Sequence, residues 1–161
     1  MRAGELQFPS AMWLQIVAHA EQEYPRECCG LVLARSKAPE SLSELIPCEN
    51  AQDKYHRQDP GQFPRTSANG YFIDPAQLLA IEKQCRNTSS IVRVIYHSHP
   101  DAAAYFSAED NRRAMIEGRP LHPHAAYLVL SVQNGRVVHH KTFHWQPDVG
   151  YLSPNGERAR P

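Results

Sequence analysis

Neither sign of charge predominates in this chain of 161 residues: lysine plus arginine and aspartate plus glutamate number 17 each, for a formal net charge of zero. A basic stripe that would track a nucleic-acid backbone is missing, as is a polybasic run suited to an anionic membrane. Long apolar runs are missing too. Met1 to Glu5 lead into no uninterrupted hydrophobic stretch, so neither a signal peptide nor a membrane span is expected, and the chain reads as cytoplasmic. Internal repeats and an interdomain linker are also absent. The length suits one domain, assigned to residues 1–150, with a polar, proline-containing tail at 151–161 expected to be loose. Only four cysteines occur, without zinc-like spacing: Cys28 and Cys29 are adjacent and would face opposite ways on a strand, while Cys48 and Cys85 stand apart. They read as buried free thiols behaving as small apolar residues, with Cys28 distinguished by its acidic neighbour.

What the chain does have is histidine in a pattern. His97-Ser98-His99-Pro100 is followed after six residues by Ser107-Ala108-Glu109-Asp110. Side chains alternate along an extended segment, so His97 and His99 project from one face, and a short loop lets Asp110 return as a third ligand. Two neutral imidazoles, one carboxylate and an open fourth position describe a catalytic rather than a structural zinc environment. Such a site needs a base. Glu27, within Pro25-Arg26-Glu27-Cys28-Cys29-Gly30, stands where a helix gives way to an apolar strand, an unusual place for a carboxylate without a task. Each residue has a duller reading alone. Ser107-x-x-Asp110 is a helix-start signature, Glu27 could sit in an ion pair, and the histidines could be polar strand ends. Their joint occurrence favours the site. His122 and His124 form a comparable pair, but no third ligand is spaced for it. His139, His140 and His144 are assigned to a solvated strand face or edge. Tyr105 is expected to shape a groove beside the metal, and Phe106 to pack in the core.

The order of elements is helix, two strands, helix, strand, helix and hairpin. Ser10 reads as the cap of a first helix that buries Trp13, Ile16, Val17 and Ala20. Residues 30–34 and 41–46 read as strands, and the polar stretch from Asn50 to Tyr71 as a long loop. Asp74-Pro75 opens a second helix whose inward stripe is Leu78, Leu79, Ile81 and Cys85. Residues 91–96 form the strand that delivers His97 and His99. A third helix is expected from Ser107 to about Glu117, and Asn134-Gly135 closes a hairpin between residues 125–132 and 136–145. This pattern suggests a mixed α/β (α+β) fold, a sheet covered by helices.

The glutamate before the first strand, the His-Ser-His-Pro run and the Ser-x-x-Asp six residues later resemble the JAMM, or MPN-plus, zinc metallopeptidase family, and every position of its pattern is filled. The resemblance spans most of the chain. It implies a curved mixed sheet with a helix on either side, related in shape to cytidine deaminases. One Zn2+ per chain is implied, on His97, His99 and Asp110, with Glu27 as general base and Ser107 hydrogen-bonding the tetrahedral intermediate. It also implies cleavage just after the C-terminal diglycine of a ubiquitin-like protein. The Glu-Cys-Cys-Gly-Leu opening and the Tyr-His-Ser-His-Pro-Asp core are similar to a bacterial branch, the mycobacterial-type peptidases that release cysteine from a sulfur-carrier protein. The implied partner is the C-terminal tail of a ThiS/MoaD-like carrier. A ubiquitin-like deconjugase and a non-catalytic MPN scaffold are the alternatives, and self-association is left open. Nucleoside deamination is disfavoured because the Pro-Cys-x-x-Cys that its zinc site needs does not occur.

Overall fold

The computed structural model describes residues 6–160, so the reading of Met1 to Glu5 lies outside the described residues. In chain order the elements are α1 (Ser10–Glu23), β1 (Cys29–Arg35), β2 (Ala38–Cys48), α2 (Gln52–Gln58), α3 (Pro75–Thr88), β3 (Ser90–Pro100) and α4 (Ala108–Ala114). There follow the short strands β4 (Met115–Ile116) and β5 (Arg119–Pro120), then β6 (Ala126–Gln133), β7 (Arg136–Gln146) and β8 (Gly150–Leu152). Six strands make one mixed sheet in the order β2-β1-β3-β6-β7-β8, as the mixed fold class requires. Among the described residues only β3 and β6 are parallel, and a parallel pair needs a crossover, here α4 with the β4–β5 hairpin.

Burial along the central strands explains the layers. Six of the seven β1 residues and seven of the eight β6 residues are buried, so both faces of the sheet need cover. On one face Val32, Ala34, Val94, Tyr96, Leu128 and Leu130 pack against Ile16 and Ala20 of α1. On the other, Leu31, Leu33, Ile95, Tyr127 and Val129 pack with Ile81 and Cys85 of α3 and Ala114 of α4. Period-two alternation then assigns His97 and His99 to the face of Ile95, the one that α4 approaches. Phe106 is fully buried on that face, as expected. Among the described residues, no helix is long and apolar enough to cross a membrane.

Several local expectations are corrected. Ser10 is the first helical residue rather than the cap; Pro9 occupies that position, with no side-chain cap bond. Leu79 is 62% exposed and leaves the inward stripe, because helix rotation turns it away from Ile81 and Cys85. The stretch from Asn50 to Tyr71 contains α2, a polar helix held by tertiary hydrogen bonds and by the Tyr55–Phe63–Phe72 aromatic cluster. The third helix stops at Ala114, since Glu117 and Gly118 take positive φ (48° and 74°) and turn the chain into the β4–β5 hairpin. The tail expected to be loose is packed: Gly150–Leu152 pairs with β7, Tyr151 is buried, and the Arg160 N–H donates to the Phe106 carbonyl at 2.8 Å.

Two positions fix the register around the β3 end. Gly30 lies opposite Tyr96, and a Cβ there would fall 2.3 Å from the Tyr96 ring, whose hydroxyl is already tied to His19 Nδ1 at 2.8 Å. Gly30→Ala should therefore destabilise by about 1–3 kcal/mol or more, as overpacking does, read from denaturant unfolding. Asp101, directly after Pro100, accepts the Tyr24 hydroxyl at 2.6 Å and the Asn134 N–H at 3.0 Å. These bonds, Tyr24's foremost, hold its carboxyl below the ordinary range. A depressed folded value gives stability that is complete above the unfolded pKa of about 3.9 and is lost as pH falls through the folded one. Wild type should thus lose more stability than Asp101→Asn between about pH 5 and pH 2, in melts recorded across that range.

Candidate metal centre

His97 and His99 reach the α4 face at the carboxyl end of β3, with their Nε2 atoms 3.2 Å apart. Asp110, in the first turn of α4, brings Oδ2 to 3.2 Å from His97 Nε2 and 3.4 Å from His99 Nε2. All three residues are buried. Bonds of about 2.0–2.1 Å in a tetrahedral set demand ligand atoms about 3.3–3.4 Å apart, so the triangle fits an ion of zinc's size and donor preference.

The orientations are fixed by neighbours. His99 Nδ1 lies 3.0 Å from the Ala103 carbonyl, which makes it the protonated nitrogen and turns the Nε2 lone pair inward. His97 stacks on Tyr71, centroids 4.5 Å apart, and its Nδ1 is buried without a partner. Asp110 is held by a capping box: its N–H donates to Ser107 Oγ at 3.0 Å, and its Oδ2 accepts the Ser107 N–H at 3.0 Å. The atom that completes the cap is the atom aimed at the two histidines. Burial pushes the Asp110 carboxyl up, but the His97 and His99 rings outweigh it and hold it well below the ordinary carboxylate range.

Glu27 stands just outside this triangle, Oε1 at 3.8 Å from His99 Nε2. Its carboxylate also lies within 4.8 Å of both ring nitrogens, so on proximity alone it competes with Asp110 as a third ligand. The Asp110 oxygen is closer and nearly equidistant from both rings. Burial first, then the Asp110 charge, raises the Glu27 carboxyl well above its ordinary value, while Arg65 pulls it down. Its Oε2 is buried and unpaired. A carboxylate so placed beside an ion can take up and return a proton.

The backbone of Glu27 is held at both ends. Its N–H donates to the Ser67 carbonyl at 2.7 Å, and its carbonyl accepts Asn50 Nδ2 at 3.0 Å. Asn50 also donates to Gly70 O, and its Oδ1 accepts the N–H groups of Gln52 and Phe72. Ser98, between the two histidines, accepts the Cys28 N–H at 2.8 Å, tying β3 to the residue beside Glu27. The structure thus brings together all five residues singled out from sequence. Asn50, Ser98 and Tyr71 were missed as supports. Only Ser98 carried a signal, as the residue between the two histidines.

Other candidates stay apart. Among the described residues, His122 and His124 gather no third ligand. His139 and His140 are exposed, as expected, and His144 is half-buried. All four cysteines are free and buried, and burial pushes the Cys28 thiol up to about 12, so it supplies no thiolate. A cleft of about 130 Å³ opens beside the triangle, lined by Glu27, Arg65, Tyr105, Ser107 and Arg113 among others. Tyr105 meets His99 edge-on at 4.8 Å.

A family model described as prokaryotic homologs of the JAB domain matches residues 9–146. The CysO-cysteine peptidases of Mycobacterium tuberculosis and Mycobacterium bovis are 29% identical to the chain over 119 residues, 74% of this chain and 68% of theirs. Tail tip assembly protein K of Escherichia phage N15 is 30% identical over 107 residues, 66% of this chain but 35% of that protein. A solution structure from Desulfitobacterium hafniense superposes with a TM-score of 0.64 at 25% identity, covering 94% of this chain and 88% of that one. One from Salinibacter ruber gives 0.57 at 22%, covering 95% and 90%, a likeness of fold alone.

Metal binding can be measured without any substrate. Zinc at about a hundred times its dissociation constant should stabilise the protein by about 2.7 kcal/mol, read as a rise in Tm. His99→Ala should abolish both that rise and the bound zinc counted by elemental analysis.

Proposed function

The chain belongs to the family of prokaryotic homologs of the JAB domain, and on that premise we propose that it is a zinc-dependent peptidase. Its substrate would be a ubiquitin-like or sulfur-carrier protein of ThiS/MoaD type, cut after the C-terminal diglycine. The observation that carries this reading is the triangle of His97 Nε2, His99 Nε2 and Asp110 Oδ2, with the Glu27 carboxylate beside it. The CysO-cysteine peptidases to which the chain is similar carry the activity in their name, which supports a carrier tail as the substrate.

His97, His99 and Asp110 would hold the ion. When bound, zinc supplies Lewis acidity that polarises a carbonyl and lowers the pKa of water to about 7. Glu27 would accept the proton of the attacking water and return it to the departing amine. Ser107 Oγ is occupied as an acceptor by the Asp110 N–H, which leaves its O–H to donate to the scissile carbonyl oxygen as charge develops there. Tyr105 and Tyr71 wall the ligands off from water by packing on His99 and His97. Four cysteines without a disulfide suit a reducing compartment, so we place the activity in the cytoplasm.

Glu27→Gln separates chemistry from binding. It should retain zinc, by elemental analysis, while turnover of a carrier–cysteine adduct falls about a hundred- to ten-thousand-fold. Cleavage at the wild-type rate would remove Glu27 from the role of base.

A further inference from the structure

Two guanidinium groups border the cleft, and they differ in what they already hold. Arg113 is engaged: its Nε donates to Glu109 Oε1 at 2.7 Å, and it lies over the Phe72 ring. Arg65 forms no ion pair among the described residues. Its one side-chain hydrogen bond runs from Nη1 to the Asn69 carbonyl at 2.9 Å, out of five N–H groups that a guanidinium can offer. The side chain runs along Gly70, where a Cβ would stand 3.2 Å from Arg65 Cβ and 3.4 Å from Cδ, so the wall at Gly70 is shaped around it. It lines the same cleft as Glu27.

Gln52 adds a complementary group. It is fully buried, and its Nε2 donates to the Arg65 carbonyl at 3.0 Å, which fixes the orientation of the amide. Its Oε1 then has no partner, and lies 3.4 Å from where a Gly70 Cβ would stand, in the same wall. An unsatisfied buried acceptor is costly, and a donor from substrate relieves it. The wall next to the base therefore offers a planar donor fork and a fixed acceptor.

We propose that Arg65 and Gln52 are the residues that select the leaving group: Arg65 binds its free carboxylate and Gln52 Oε1 accepts a hydrogen from its amine. The proposal rests on the peptidase reading above and names the leaving group for that same site. A C-terminal amino acid carries its carboxylate one carbon from the nitrogen that leaves. The lysine side chain of an isopeptide instead presents an apolar four-carbon stem with no carboxylate near the cut. Water adds across the amide: its oxygen goes to the carrier's carbonyl carbon, the C–N bond breaks, and one proton passes through Glu27 to the amine.

The test uses the zinc-loaded full chain and a ThiS/MoaD-like carrier extended past its diglycine by one cysteine, as the free acid and as the carboxamide. Amidation should lower kcat/KM by about ten- to a hundredfold, the loss expected for one charge-assisted hydrogen-bond pair. Arg65→Gln should lose a similar factor on the acid and little on the amide, and Arg65→Lys should recover part of it. Equal cleavage of acid and amide by wild type would overturn the proposal while leaving the peptidase intact, and needs no variant to fold. An isopeptide-linked protein conjugate cleaved as fast as the acid would overturn it too. Failure to cleave any of the three would instead sink the peptidase reading, and the proposal with it.

Discussion

Three atoms that each offer a lone pair, two imidazole nitrogens and a carboxylate oxygen, are held within 3.4 Å of one another inside the protein. Without a cation between them such a cluster is electrostatically unfavourable, because lone pairs that face one another repel and burial keeps water away. The surrounding fold must impose the arrangement. It does so with rigid parts: β3 is paired on both sides, antiparallel to β1 and parallel to β6, so the histidines cannot rotate with a loop. The parallel pairing forces the crossover, and the crossover begins with the helix that carries Asp110. Topology and coordination are in this sense one constraint.

The segment between Asn50 and Tyr71 supplies what the sheet cannot. A strand end leaves its last backbone groups open, and Glu27 lies just before β1 begins. Ser67 O and Asn50 Nδ2 close those groups, and Asp53 in turn fixes Ser67 through its N–H and hydroxyl, both at 2.7 Å. Asn50 uses its amide fully, with two donated and two accepted hydrogen bonds. Fully satisfied buried networks of this type rigidify what they touch. The Glu27 carboxylate is consequently presented by a loop with the precision of a secondary-structure element.

This division explains what could be read from sequence. The proposed ligands were legible because their constraint is local: alternation puts His97 and His99 together, and a helix-start signature fixes how Ser107 and Asp110 face each other. The strands and the Asn134-Gly135 turn were legible for the same reason, with Asn134 and Gly135 both at positive φ. Asn50, Gln52 and Arg65 were not. Asn50 and Gln52 act through hydrogen bonds that reach as far as 23 and 13 residues along the chain, Arg65 through one to Asn69, and polar side chains so used leave no period in the sequence. Helix α2 escaped because only Gln52 is buried in it, so it lacks the apolar stripe by which a helix is recognised. The tail escaped because its anchoring is a backbone bond to Phe106 and a stack of Arg160 on the Tyr105 ring at 3.7 Å, neither visible in polarity.

The coincidence of cap and ligand at Asp110 has a further consequence. A capping box satisfies two helix N–H groups whether or not a metal is present, so its free energy is available to the apo fold. That energy offsets part of the cost of holding a carboxylate against two imidazoles before any ion arrives. A ligand carried on a plain loop would instead have to be ordered at the moment of binding, and the entropy of ordering would be subtracted from the affinity. The same logic applies to His99, whose Nδ1 bond to Ala103 orients the ring in advance. Hence the site is one in which the protein's own hydrogen bonds, and not the ion, set the geometry into which an ion and then a scissile amide must fit.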